Sequence, residues 1–163
     1  MARQLSSGYL YKRIRVQGGA YGGMCQYNPM SGSFSFLSYR DPHLVETLKV
    51  YDDAVDFISG NRIEDEELEK AIIGAIGLLD KPMDPSGRGY TAMIRAFAGL
   101  TDKDRQKFRD RIFDTSAETL MEAGNRFLAT EAESSPVAVY AAAERLSKAN
   151  ETLETGLEIE ALV

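Results

Sequence analysis

Only one histidine, His43, and one cysteine, Cys25, occur in the 163 residues, and that scarcity removes most catalytic chemistries at the outset. No H-E-x-x-H or inverted H-x-x-E-H helix can be written around a lone histidine, and a catalytic zinc needs two or three nitrogen or sulfur ligands at close spacing. The chain by itself therefore offers no metal site, and His43 reads as a polar side chain in the first turn of a helix. Nucleophilic catalysis is equally poorly served, because Cys25 has no evident partner base. The glycine run Gly18 to Gly23 fits neither G-x-G-x-x-G nor G-x-x-x-x-G-K, which disfavours a phosphate cradle. What stands out is Arg15 followed by Tyr21, with Tyr21 held between Gly18-Gly19 and Gly22-Gly23. Spacing alone favours the plainer explanation, a cross-strand packing tyrosine and a surface arginine at a helix end.

The elements that must position this pair can be read from periodicity. Gly8 to Arg15 reads as a short helix or the tail of a longer one, with Tyr9, Leu10 and Ile14 apolar among lysines and arginines. The glycines then open a strand that runs to Tyr27, where glycine lets another backbone or a ligand come close. Asn28, Pro29, Ser31 and Gly32 supply turn chemistry. Ser33 to Tyr39 alternates, so the two strands form an antiparallel hairpin. Asp41 and Pro42 then read as the cap and first residue of a helix whose stripe is Leu44, Leu48, Tyr51, Val55 and Ile58, ending at Gly60-Asn61. Arg40 is expected to pair with a carboxylate.

Further helices are predicted over 65–79, 89–98, 102–113, 116–128 and 143–153, with Pro82, Pro85 and Gly87 in a loop. Thr101 is the expected cap of the third of these, and Thr115 with Glu118 the capping box of the fourth. Val137 to Ala142 reads as a buried strand. The alternation of Leu157, Ile159 and Ala161 against Glu158 and Glu160 reads as a half-buried closing strand. The sum is about four strands and six helices, an α+β sandwich with a mostly antiparallel sheet and helices on one face. The chain is expected to form a single partial domain over 1–163 that opens in mid-architecture, its preceding strands cut away. A sheet edge bared in this way recruits partners, so self-association is expected.

Composition sets the outer limits. A chain that is 44% hydrophobic and 27% charged matches an ordinary globular domain, and at this length it buries about two-thirds of its unfolded surface without staples. A single cysteine excludes an internal disulfide and agrees with a reducing, cytoplasmic setting. The formal charge of -6 argues against a nucleic-acid surface, and Lys12, Arg13 and Arg15 read as a solvated face. No apolar run approaches the roughly 18 residues of a membrane span.

Two motifs point further. The run I14-R15-V16-Q17-G18-G19-A20-Y21-G22-G23 resembles the segment of the presequence-protease branch of the pitrilysin metallopeptidases in which an Arg and a Tyr point at the bound peptide. FSFLSYRDP, from Phe34 to Pro42, resembles the second hairpin strand and helix cap of the same branch, and ETLKVYDDAVDF fits its next helix. Beyond Pro82 the resemblance is one of length and helical pattern. It implies a processing-peptidase-like domain, the last of four in a clamshell zinc endopeptidase that closes around short unfolded peptides. The zinc would sit in the N-terminal half of that parent, the partner of this domain. Arg15 and Tyr21 would then be catalytic donors to the substrate carbonyl, with Gly18, Gly19 and Gly22 beside the substrate and Gly23 also clearing room for it. Physically, a guanidinium and a phenol can be placed before negative charge develops on the carbonyl oxygen. The alternative from another class is a non-catalytic structural or assembly domain. Met24 follows the glycines where some relatives carry a smaller residue, and with the zinc helix absent the isolated chain is not expected to cleave peptides.

Overall fold

Leu5, Leu10 and Ile14 are fully buried, at spacings of five and four rather than the three and four of an α-helical stripe. In this computed structural model, which describes residues 1–60, 63–131 and 134–161, the reason is the pitch of the opening helix. Ala2–Leu5 (α1) is α-helical and passes directly into a π-helical segment, Ser6–Gln17. The wider i→i+5 turn brings residues four and five apart onto one line, so an α-helical template underestimates this element. The helix starts six residues before the predicted Gly8.

Antiparallel strands β1 (Gly22–Tyr27) and β2 (Phe34–Tyr39) follow, registered from Gly22 opposite Tyr39 to Tyr27 opposite Phe34. Their turn is the expected one. Asn28 Oδ1 accepts from the backbone N–H of Met30 at 2.9 Å, and Gly32 takes φ +73°. On its other side β1 is sealed by the opening helix. The Ser6 hydroxyl donates to the Cys25 carbonyl at 3.0 Å and accepts from the Cys25 N–H at 2.9 Å, and the Cys25 thiol donates to the carbonyl of Ala2 at 3.1 Å.

α2 (Leu44–Gly60) lies against both. Phe36 of β2 stacks on Tyr51, with ring centroids 5.2 Å apart, and Tyr9 stacks on Phe57 at 4.7 Å. The entry to α2 differs from expectation. Asp41 Oδ1 accepts from the His43 N–H at 2.9 Å and Oδ2 from the Thr47 hydroxyl at 2.7 Å, while Thr47 N–H bonds the carbonyl of His43. Asp41 thus fastens the first turn from two residues further out than a cap, and Pro42 precedes the helix. The predicted stop at Asn61 lies outside the described residues.

α3 (Asp65–Leu79) and α5 (Asp102–Phe113) occupy their predicted ranges, and Thr101 forms a reciprocal cap with Asp104. Asp80, just after α3, holds Arg109 of α5 through both carboxylate oxygens, at 2.5 and 2.8 Å. α4 (Pro85–Phe97) begins earlier than predicted, because Asp84 caps it by accepting from Gly87 N–H at 2.6 Å and Pro85 suits the first position. The cap of α6 (Ala117–Ala123) is Ser116 with Thr119, not Thr115 with Glu118. α6 continues through a second π-helical segment, Gly124–Leu128, into α7 (Ala129–Glu131).

Two predicted strands are absent among the described residues. Val137 and Tyr140 are 51% and 88% exposed in an irregular segment with no strand partner among the described residues, and α8 is confined to Ala143–Asn150. In the tail, the Asn150 amide clasps Leu157, donating to its carbonyl at 2.9 Å and accepting from its N–H at 2.8 Å. The groups a strand partner would need at Leu157 are thereby taken. The architecture remains α+β, with a two-stranded sheet in place of the larger one expected, and no described helix is long and apolar enough to cross a membrane.

The core joins Leu5, Leu10 and Ile14 to Ala20 and Cys25 of the hairpin region, Ala54 and Ile58 of α2, and Leu120 and Leu128. A close fit lies at Gly23, where an added Cβ would stand 2.7 Å from Ile14 Cβ. Gly23→Ala is therefore expected to lower stability by about 1 to 3 kcal/mol by overpacking. Urea unfolding of Gly23→Ala, Ile14→Ala and the double variant should show less than the sum of the single losses. Strict additivity would mean that the two residues do not meet.

Candidate functional site

Burial of Ile14 turns its neighbour Arg15 outward at the end of the π-helical segment, and the chain then reverses within a few residues. Gly18 N–H bonds the carbonyl of Arg13 at 3.0 Å, Gly19 N–H that of Arg15 at 3.1 Å, and Ala20 N–H that of Ile14 at 3.1 Å. Gly19 takes φ +72°, which strains any residue with a Cβ, and a Cβ at Gly18 would lie 2.7 Å from the Ile14 carbonyl oxygen. Both glycines therefore serve the reversal. Ala20 is buried, which points the next side chain, Tyr21, to solvent with 65% of its surface exposed.

The reversal brings Arg15 and Tyr21 together: the guanidinium carbon lies 6.0 Å from the Tyr21 ring centroid and 5.6 Å from that of Tyr11. Tyr21 is fixed from behind by its N–H, shared between the carbonyls of Tyr39 at 3.2 Å and Arg40 at 3.4 Å. Its ring meets Tyr39 edge-on at 5.9 Å. Arg40 completes the group, with its guanidinium carbon 5.4 Å from the Tyr39 ring and 6.0 Å from the Tyr21 ring. Contacts of this kind at exposed sites contribute about 0.5 to 1 kcal/mol each. The result is an exposed face of three tyrosines and two arginines at one end of the hairpin.

Three of these residues are not assigned to the site by the sequence, although Tyr39 and Arg40 fall within the FSFLSYRDP run. Tyr11 is four residues before Arg15 on the same helix, and Tyr39 is the strand partner of Gly22, so helical spacing and hairpin register are the signals that find them. Arg40 is expected to meet a carboxylate and instead lies over tyrosine rings. At φ +50° it is the one non-glycine residue with positive φ among those described.

The glycines divide in role. A Cβ at Gly22 would come no nearer than 3.5 Å to anything, the Met24 methyl, so space there is open. At Gly23 the space is filled by Ile14, which corrects the expectation that this glycine clears room for substrate. Cys25 sits inside the core, where burial pushes its thiol upward despite hydrogen bonds with Ser6. His43 is exposed, and no group of three or more His, Cys, Asp or Glu among the described residues is placed to hold a metal ion.

The fold and the face are those of an α+β domain presenting an arginine and a tyrosine beside a glycine-flanked hairpin. Residues 1–143 match the model of the PreP C-terminal domain, and the chain belongs to that family, the C-terminal domains of presequence proteases. It is 39% identical over 159 residues to presequence protease 1, chloroplastic/mitochondrial, of Arabidopsis thaliana, an alignment covering 98% of this chain and 15% of that protein. Over 128 residues it is 34% identical to the mitochondrial presequence protease of Aspergillus fumigatus and 31% identical to that of Mus musculus, in each case covering 78% of this chain and 12% of the relative. The chain thus spans 15% or less of the length of these relatives.

If Gly19 and Gly22 differ as their surroundings indicate, Gly19→Ala is expected to lose about 1 to 2 kcal/mol through its left-handed backbone. Gly22→Ala should stay within about 0.5 kcal/mol of the parent. Thermal or urea denaturation of the two variants checks this, and equal losses would contradict the division of roles.

Proposed function

We propose that this chain is the substrate-binding and transition-state-assisting C-terminal domain of a zinc metalloendopeptidase that degrades short unfolded peptides, and that it is inactive alone. The observation carrying this reading is the convergence of Arg15 and Tyr21 on one exposed face, held there by a reversal built from Gly18 and Gly19. Hydrolysis of a peptide bond builds negative charge on the former carbonyl oxygen. A guanidinium and a phenolic O–H fixed beforehand are donors for that charge, and Gly22 leaves room for the peptide backbone to approach. On this reading the zinc belongs to the N-terminal half of the parent, the domain's principal partner; among the described residues no group of three or more His, Cys, Asp or Glu is placed to hold a metal ion. On this reading the two-stranded hairpin and its helices are one part of a processing-peptidase-like unit.

A structural or assembly domain is the second reading, favoured by Ile73, Leu78, Tyr90, Phe97 and Phe113, which stand exposed on α3 to α5. The same surface supports self-association of the chain. The relatives bear mitochondrial and chloroplastic names, and a parent delivered to such an organelle would displace the cytoplasmic setting drawn from composition. An upstream H-x-x-E-H in the parent reading frame is required by the first reading, and its absence would leave the second.

In the full-length parent, Tyr21→Phe or Arg15→Ala is expected to lower kcat for an unstructured peptide by about 10² to 10³, the loss of one transition-state donor. Turnover at the unmodified rate in both variants would return the pair to a packing role.

A further inference from the structure

Arg15 and Arg40 each lie over tyrosine rings, and neither forms an ion pair or hydrogen bond through its side chain among the described residues. Each guanidinium carries five N–H donors and no acceptor, and the exposed phenols of Tyr21 and Tyr39 add O–H donors. Both oxygens of Asp41, the residue after Arg40, accept from His43 and Thr47, and Asp53 pairs with Arg13 at 3.7 Å. A chain of net charge -6 thus presents, at one end of its hairpin, a face rich in donors and positive charge.

Arg40 is also held at φ +50°, a conformation costly for a residue with a Cβ. Strain of this kind concentrates at binding sites. One guanidinium suffices for a carbonyl oxygen, so the second has no task in the reading above. We infer that Arg40, with Tyr39 and Tyr21, binds a carboxylate of the peptide beside the position of the reacting carbonyl. The planar fork of a guanidinium matches a carboxylate, and stacking on an aromatic face orients that fork while leaving its N–H edge free. The inference rests on this face being the one that meets peptide, and extends it by naming the charge it selects.

The test uses this chain with three probes: acetyl-tetraalanine as the free acid, the same peptide as its amide, and an acetylated pentaalanine amide with glutamate at its centre. Binding is followed by NMR titration at low salt, on the unmodified chain, on Arg40→Gly, which accepts the positive φ, and on Arg40→Lys, which keeps the charge. Either carboxylate probe is expected to bind about tenfold more tightly than the neutral amide, the value of a charge-assisted hydrogen bond. Which of the two does so tells a chain terminus from an acidic side chain. The preference should vanish in Arg40→Gly and persist in part in Arg40→Lys. Equal binding of all three probes, or a preference unchanged in Arg40→Gly, would overturn the carboxylate site while leaving a peptide-binding face intact. No binding by any probe would overturn both.

Discussion

The contact between Ile14 and the bare Cα of Gly23 sets the geometry on which the site depends. It seats the opening helix on β1 so closely that no Cβ fits between them. From that seat the rest follows by short steps. Ile14 faces inward, so Arg15 faces outward. The backbone has to turn at once, because Ala20 N–H is bonded to the Ile14 carbonyl, and Gly18 and Gly19 make the turn possible. Tyr21 then emerges beside Arg15. A larger residue at position 23 would lift the helix and carry Arg15 away from the phenol.

The wider pitch of the π-helical segment is part of the same constraint. Leu5, Leu10 and Ile14 align only at spacings of five and four, and this alignment lets one helix cover β1 along its length. Ser6, from the beginning of the segment, meets Cys25 in the middle of the strand, and Ile14, near its end, meets Gly23. The strand edge not paired with β2 is thereby closed at Cys25 by a side chain from the helix. A small sheet is stable here because helix and α2 enclose it, consistent with the limited stability of an isolated hairpin.

The hairpin, α3 and α5 were legible in the residues, since alternation, acidic first turns and Thr101 act locally, whereas Arg15 and Tyr21 were singled out by a family resemblance that spacing alone did not supply. The failures share a cause. Val137–Ala142 and Leu157–Ala161 have strand composition, yet a strand exists only where a neighbour offers its backbone, and nothing in the segment itself reports that Asn150 occupies Leu157 instead. The π pitch misled in the same way, because a template of 3.6 residues per turn does not look for spacings of five and four. Tyr39 and Arg40 joined the site through register and backbone strain, which are properties of the folded chain and not of a motif.

The placement of a guanidinium and a phenol side by side in solvent is the central claim, and solution NMR of the chain measures it without any substrate. Cross-relaxation between the Tyr21 ring protons and the side-chain methylenes of Arg15 is predicted, at an intensity that the packing variant Gly23→Ala reduces. If Tyr21 instead shows cross-peaks to core side chains such as Leu10 and none to Arg15, the account is contradicted at its base.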